Sequence, residues 1–217
     1  MNESPLRERL IDVGVEMVTA EGTGALGLRE IARRAGVSHG APRRYFPTHQ
    51  SLLSAIARRG FADLGARFAA ATAGEATPRG RLRALAGTYV GYALEQRGMF
   101  ELMFRHDLLD GSGQEGADRP RLRESTLPLF GMLVALVTRC GAADPRVTAA
   151  ALWANLHGVA QLWGSGALPL VLGGGTDGNA DADADADAGP DGNAGPAAYV
   201  DRLVGAVLDA HLGAEPA

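Results

Sequence analysis

The chain of 217 residues contains no lysine, so all 21 of its fixed cations are arginines. Each is a planar fork suited to phosphate or guanine, although genome base composition is the simpler source of such a bias. There is one cysteine, Cys140, which excludes an internal disulfide and fits a reducing compartment. It lies on an apolar helical stripe, where a buried structural thiol is expected rather than a nucleophile. No run of about 18 apolar residues occurs, so no membrane-spanning helix is expected. The first residues, MNESPLRERL, lack the basic-then-apolar layout of a secretion signal. Together these suggest a cytoplasmic protein. No stretch sustains the alternation of a strand. His39, His49, His106, His157 and His211 do not cluster at ligand spacing; His106 and Asp107 are adjacent but alone, and Cys140 with His157 would make a dyad only if the fold joined them. No metal, cofactor or catalytic activity is therefore expected.

Charge is present but unevenly placed. Residues 1–60 hold nine arginines against six acids, about +3, and the remainder twelve against nineteen, about −7. A positive end on an acidic body is what oriented attraction to phosphate requires. Within that end, Leu28 to Phe46 reads as two short helices. Leu28, Ile31, Ala32 and Ala35 recur at helical spacing, with Arg29, Glu30, Arg33 and Arg34 on the other side. Gly36 suits a left-handed helix end, and Ser38 is a natural N-cap. Pro42 is tolerable only in a first turn, which starts the second helix near Ser38 or His39. Arg43, Arg44 and Tyr45 then lie exposed. That is a helix-turn-helix pattern, and equally the pattern of any αα-hairpin with a solvated basic face.

Elsewhere the punctuation is helical throughout. Ser4-Pro5 starts a helix with Leu6, Leu10, Val13 and Met17 inward, and Glu21-Gly22 ends it. Gly27 caps the next. Thr48 caps a long helix carrying Leu53, Ile56, Leu64 and Phe68, which runs out by Ala73-Gly74 before a hinge reaching Gly80. Leu82, Leu85, Tyr89 and Tyr92 form a stripe that Gly98 interrupts. Met99, Phe100, Met103 and Phe104 make a short apolar helix, and Asp110–Asp118 a loop. Leu127, Phe130, Leu133, Val134 and Val137 mark another helix, disturbed at Pro128 and ended by Gly141. Asp144-Pro145 opens one running through Leu152, Leu156, Val159 and Leu162. Residues 173–196, with six aspartates, no cation and no large apolar side chain, are expected to be a disordered insert. Tyr199 to Leu208 form a last amphipathic helix, ended at Gly213. The expected fold is all-α: an N-terminal helix-turn-helix bundle of three helices and a larger C-terminal helical bundle.

Ile31-Ala32-x-x-Ala35-Gly36-Val37-Ser38, followed by Tyr45-Phe46-Pro47 and Leu52-Leu53, resembles the N-terminal domain of TetR-type transcriptional regulators over residues 6–60. The resemblance implies a DNA-binding domain at residues 1–50 and an effector-binding and dimerisation domain at 51–217. It implies a homodimer, formed through the last two helices (here roughly Asp144–Leu172 and Ala197–Leu212), on an inverted repeat of double-stranded DNA. The Val200, Leu203, Val204, Val207 and Leu208 stripe suits that dimer or, alternatively, the monomer's own core. Carried over by position, Gly27, Arg29, Ser38, His39, Gly40, Ala41, Arg43, Arg44, Tyr45 and His49 face DNA. Position 43 is usually aromatic in the family and the position of His49 usually lysine, while Gly27 replaces a frequent hydroxyl residue. Phosphate affinity at His49 is therefore expected to be weaker and more pH-dependent. Trp153-Ala154-Asn155-Leu156-His157-Gly158 resembles the Trp-x-x-x-His-Gly signature of one branch. It implies a pocket for a small apolar effector, lined by Met99, Phe100, Met103, Phe104, Phe130, Trp153, His157 and Trp163; ordinary core packing is the alternative for each of them. A helical interaction or small-molecule-binding domain without DNA activity is the competing reading of the whole chain.

Overall fold

The structure is a computed structural model, and it describes residues 5–105, Leu109, 122–172 and 196–214. The expected cap at Ser4, the His106-Asp107 pair, the loop at Asp110–Asp118 and the insert at residues 173–195 lie outside the described residues. In chain order the α-helices are α1 (Pro5–Glu21), α2 (Leu28–Arg34), α3 (His49–Ala73), α4 (Pro78–Glu95), α5 (Arg97–Phe104), α6 (Leu122–Arg139), α7 (Pro145–Gly164), α8 (Ala167–Val171) and α9 (Pro196–Leu212). Tight three-residue-per-turn segments occupy Thr23–Ala25 and Ala41–Arg44. Among the described residues there is no strand, and no helix is long and apolar enough to cross a membrane. The chain is all-α, and its contacts divide it into two compact units.

The first unit comprises Met1–Ala70 with Glu95–Met132. Its core is built on α1, whose buried residues are Leu10, Ile11, Gly14, Met17 and Val18. The expected stripe is thus rotated: Leu6 and Val13 are only half-buried. Gly14 accounts for the rotation, because Ile56 of α3 fills the space where a Cβ would stand. Gly22, at φ 80°, ends α1 as expected. Gly36, at φ 68°, closes α2, and the Val37 N–H donates to the Ala32 carbonyl at 3.0 Å, so orphan helix-end acceptors are paired. At α3 the Thr48 hydroxyl accepts from the Ser51 N–H at 3.1 Å, while the Thr48 N–H donates to the Ser51 hydroxyl at 3.3 Å. This is a reciprocal cap in which serine takes the part usually played by Glu or Gln. Thr48→Ala is expected to lower stability by about 1 kcal/mol in urea denaturation, without changing helix content at native conditions.

The second helix of the expected pair is shorter than its sequence suggested. Ser38 makes no side-chain cap; only its carbonyl takes part, accepting from Ala41 N–H at 2.9 Å. Residues 39–40 form a turn, and the helical segment is the single tight turn Ala41–Arg44. Gly40 is a weak helix former and Pro42 brings no donor, so too few backbone bonds are available to extend an α-helix backward. Pro42 and Phe46 are buried and pin the turn at both ends.

The second unit comprises Ala71–Leu94 with Leu133–Ala217. Its α4 starts at Pro78 rather than after Gly80, because the Thr77 hydroxyl accepts from Gly80 N–H at 2.9 Å and caps it early. Leu82, Leu85, Tyr89 and Tyr92 are buried, as their spacing predicted. Asp144 caps α7 by accepting from Val147 N–H at 3.2 Å, with Pro145 in first place. Ala149, Leu152, Leu156 and Ala160 are the buried face of α7, whereas Leu162 is 50% exposed and Val159 half-buried. The expected single helix to Leu172 is broken at Gly166, whose φ of 82° separates α7 from α8. Pro128 stands inside an unbroken α6, and Leu127 beside it, expected on the apolar stripe, is 62% exposed. Pro196, expected in the insert, is the first residue of α9. That helix packs on α7 and buries Val200, Val204 and Leu208, leaving Leu203 and Val207 half-buried. Three of the five residues of the expected dimer stripe therefore belong to the unit's own core.

Candidate nucleic-acid interface

The basic end presents α2, the Ala41–Arg44 turn and the start of α3. Arg29, Arg43 and Arg44 are exposed and have no hydrogen bond or ion pair among the described residues. Gly27, Ser38, His39, Gly40 and His49 are exposed too, while Ala41 and Tyr45 are half-buried. Arg33 and Arg34 differ. Both close on Glu30, at 2.6 and 2.8 Å, and Arg34 also reaches Glu21 at 2.5 Å. Hydrogen bonds from Arg33 and Arg34 hold the Glu30 carboxyl down at about 2, and Arg34 likewise lowers that of Glu21. The charges of the α2 C-terminus are thus locally neutralised, and within α2, the turn and the start of α3 the cations without a partner among the described residues are Arg29, Arg43 and Arg44. Sequence reasoning placed Arg33 and Arg34 on the outer face but missed their pairing. The three- and four-residue spacing from Glu30 carried that signal; Glu21 lies too far along the chain to carry one.

His49 also has a task within its own chain. Its Nε2–H donates to the Leu26 carbonyl at 2.5 Å, tying the first residue of α3 to the loop ahead of Gly27. Only Nδ1 is left to face outward. The Leu26–Gly27 backbone, which starts α2, is therefore held by the same side chain that opens α3.

The expected effector residues fall in both units. Met99, Phe100 and Met103 are buried in the first, where Met99 and Met103 cover Gly60. The half-buried Phe104 meets Phe61 edge-on at 5.8 Å and Phe100 at 4.9 Å, and Phe130 is half-buried in the same unit. Trp153, His157 and Trp163 belong to the second. There Trp153 Nε1–H donates to the Tyr89 hydroxyl at 3.0 Å, and Tyr89 lies 2.8 Å from His157 Nδ1. Since an indole can only donate, Tyr89 accepts from Trp153, and its hydroxyl also pairs with Nδ1 of His157. The Gln161 amide nitrogen lies 3.4 Å from His157 Nε2, on the other side of the ring. Tyr89, read from sequence only as part of a stripe, is thus the centre of the Trp153–His157 pair. Burial pushes its phenol well above the usual value and pulls His157 below its ordinary 6.5.

The sign of the consequence follows from that direction. A histidine with a depressed folded pKa stays neutral while the unfolded chain takes up a proton. Its contribution to stability is complete above pH 6.5 and is lost as pH falls through 6.5 toward the folded pKa. Urea midpoints measured at pH 7.5 and 5.5 should therefore fall less in His157→Gln than in the parent chain. An equal fall in both would show that His157 does not titrate this way.

Among the described residues no group of three or more histidine, cysteine or acidic side chains is placed to hold a metal. Cys140 is half-buried rather than buried, and burial raises its thiol pKa against the pull of Arg79 and Arg139.

The family of bacterial regulatory proteins of the tetR type matches residues 10–56, and the tetracyclin repressor-like C-terminal domain family matches residues 82–186. The HTH-type transcriptional regulator BetI of Rhizobium meliloti (strain 1021) is 38% identical over 79 residues, which span 36% of this chain and 39% of that protein. A protein of unknown function from Rhodococcus sp. RHA1 is 28% identical with a TM-score of 0.65, over 97% of this chain and 95% of its own. A TetR-like transcriptional regulator from the same organism shares the fold, with a TM-score of 0.60, 16% identity and 97% of each chain covered.

Proposed function

Because this chain belongs to the TetR family and is a DNA-binding transcriptional regulator of that family, we propose that it acts as a ligand-responsive repressor. It sits as a homodimer on an inverted-repeat operator in the cytoplasm and works by binding alone, without catalysis. Residues 1–50 read DNA, and residues 51–217 take up effector and dimerise. The observation that carries this reading is the exposed Arg29, Arg43 and Arg44 group, without partners among the described residues and flanking a turn pinned by Pro42 and Phe46. Gly27, Ser38, His39, Gly40, Ala41, Tyr45 and His49 bring backbone or side chain to the same face. Their share is shape and phosphate contact, which sets register without specifying sequence. One such turn spans too few base pairs for useful specificity, and a two-fold dimer doubles them. The dimer surface uses α7 and α9; exposed Val147, Ala150 and Ala154 and half-buried Gly158, Leu203 and Val207 support it.

The effector is small and apolar. Its candidate contacts are Met99, Phe100, Met103, Phe104 and Phe130 in the first unit or Trp153, His157 and Trp163 in the second, and it favours a conformation whose two reading turns no longer match the groove spacing. Its effect on DNA affinity is then as large as its own preference between the two states. We also assign the chain to the branch with Trp-x-x-x-His-Gly at residues 153–158, supported by the Tyr89-centred network. Gel shift against the chain's own upstream region tests the reading. Binding at nanomolar protein should weaken steeply with salt, as expected when several phosphates are neutralised. Sedimentation should give twice the chain mass, and an effector hit from a thermal-shift screen should release the DNA. Equal affinity for the upstream region and a scrambled duplex would defeat the operator assignment.

A further inference from the structure

A second basic feature lies in the second unit and involves none of the residues assigned to DNA. The first turns of α4 and the C-terminal half of α9 enclose a cleft of about 50 Å³ lined by Arg79, Gly80, Arg83, Gly205, Leu208 and Asp209. Arg79 and Arg83 are four apart, so they share one face of α4. Like charges at that spacing repel. Arg79 is paired with Asp209 across the cleft, and its side chain is only 18% exposed. Arg83 makes no hydrogen bond or ion pair among the described residues, and its guanidinium lies over the bare backbone of Gly205, 3.7 Å from where a Cβ would stand. Two guanidiniums thus converge on a cleft that holds a single carboxylate.

We propose that this cleft binds a small phosphate-type oxyanion, gripped by the Arg83 fork and sharing Arg79 with Asp209. A guanidinium gains most from an oxyanion that accepts two parallel N–H bonds, and Arg83 has that capacity unused. The cleft is large enough for an ion of that size but not for a bulky ligand. The bound ion competes with Asp209 for Arg79, so occupancy exchanges an α4–α9 tie for a tie through ligand. It thereby alters how firmly the first turn of α4 is held to its neighbour.

The experiment titrates the full chain with inorganic phosphate, following ³¹P line width and thermal midpoint. Ionic strength is held constant with chloride, and acetate serves as a second, planar anion. Saturable phosphate binding at millimolar concentration is expected, with acetate weaker. Arg83→Ala should weaken phosphate by about tenfold or more, as loss of a charge-assisted pair does. Asp209→Asn, which frees Arg79 from its competitor, should strengthen it. Arg44→Ala should leave it unchanged, which separates this cleft from the DNA-facing cations. The proposal is overturned if phosphate does no more than chloride, if Arg83→Ala and Asp209→Asn both bind like the parent, or if Arg44→Ala is the variant that loses binding. Arg83 is exposed and has no hydrogen bond or ion pair among the described residues, so its removal is expected to leave the fold intact.

Discussion

Alanine at position 98 is expected to lower the stability of the protein more than any surface change, by about 3 kcal/mol or more. The reason is local and steric. A Cβ on Gly98 of α5 would stand 2.2 Å from the Val18 carbonyl oxygen and 3.1 Å from the Gly22 Cα. Both are backbone atoms at the end of α1, and neither can rotate away. Accommodating one methyl group therefore means moving α5 off α1, which loosens the layer filled by Met99, Phe100, Leu102 and Met103. Gly60→Ala is the internal comparison. There the added Cβ would meet the thioether ends of Met99 and Met103 at 2.7 to 2.8 Å. Methionine side chains can turn aside, so that loss should be nearer 1 kcal/mol. Urea denaturation followed by circular dichroism separates the two. If Gly98→Ala proved as mild as Gly60→Ala, the helices would approach less closely than described.

Gly98 also shows where sequence reading stops. In the sequence it is an interruption between two apolar stripes, a fair description of its effect on periodicity. Its purpose, close approach to another helix's backbone, depends on Val18 and Gly22, some eighty residues earlier. Positions governed by their own neighbours were legible. Gly36 needed a left-handed helix end, Thr48 and Asp144 needed a helix start, and Gly22, Gly141 and Gly213 fell at stops; all have those roles in the structure. The Ser38 cap failed for the same kind of local reason, misjudged: Gly40 and Pro42 leave too few donors for an α-helix. The His49–Leu26 bond and the Tyr89 network join residues 23, 64 and 68 positions apart, and periodicity carries no trace of them. The stripe on α9 was seen but its destination was not, because an apolar face looks the same whether its own chain or a second copy covers it. α7 covers most of it.

Arg43 and Arg44 are adjacent, both exposed and both unpaired among the described residues, yet their replacement should be felt differently by DNA. The turn that carries them is tight, so consecutive side chains leave it in well-separated directions, and one cannot substitute for the other. The TetR resemblance sets Arg44 with Tyr45 among the phosphate-holding positions, and Arg43 where an aromatic residue is usual. A guanidinium there is free to fork onto guanine O6 and N7. Arg43→Ala should then cost about 1–3 kcal/mol on the cognate operator and little on a scrambled duplex, so that preference between the two narrows. Arg44→Ala should weaken both duplexes alike and reduce the slope of log affinity against log salt by about one. Four affinities across a salt series decide the matter. Equal losses on both duplexes for both variants would make each arginine a backbone anchor, and sequence choice would then have to come from the exposed Arg29, Ser38 or His39, or from the shape of the duplex.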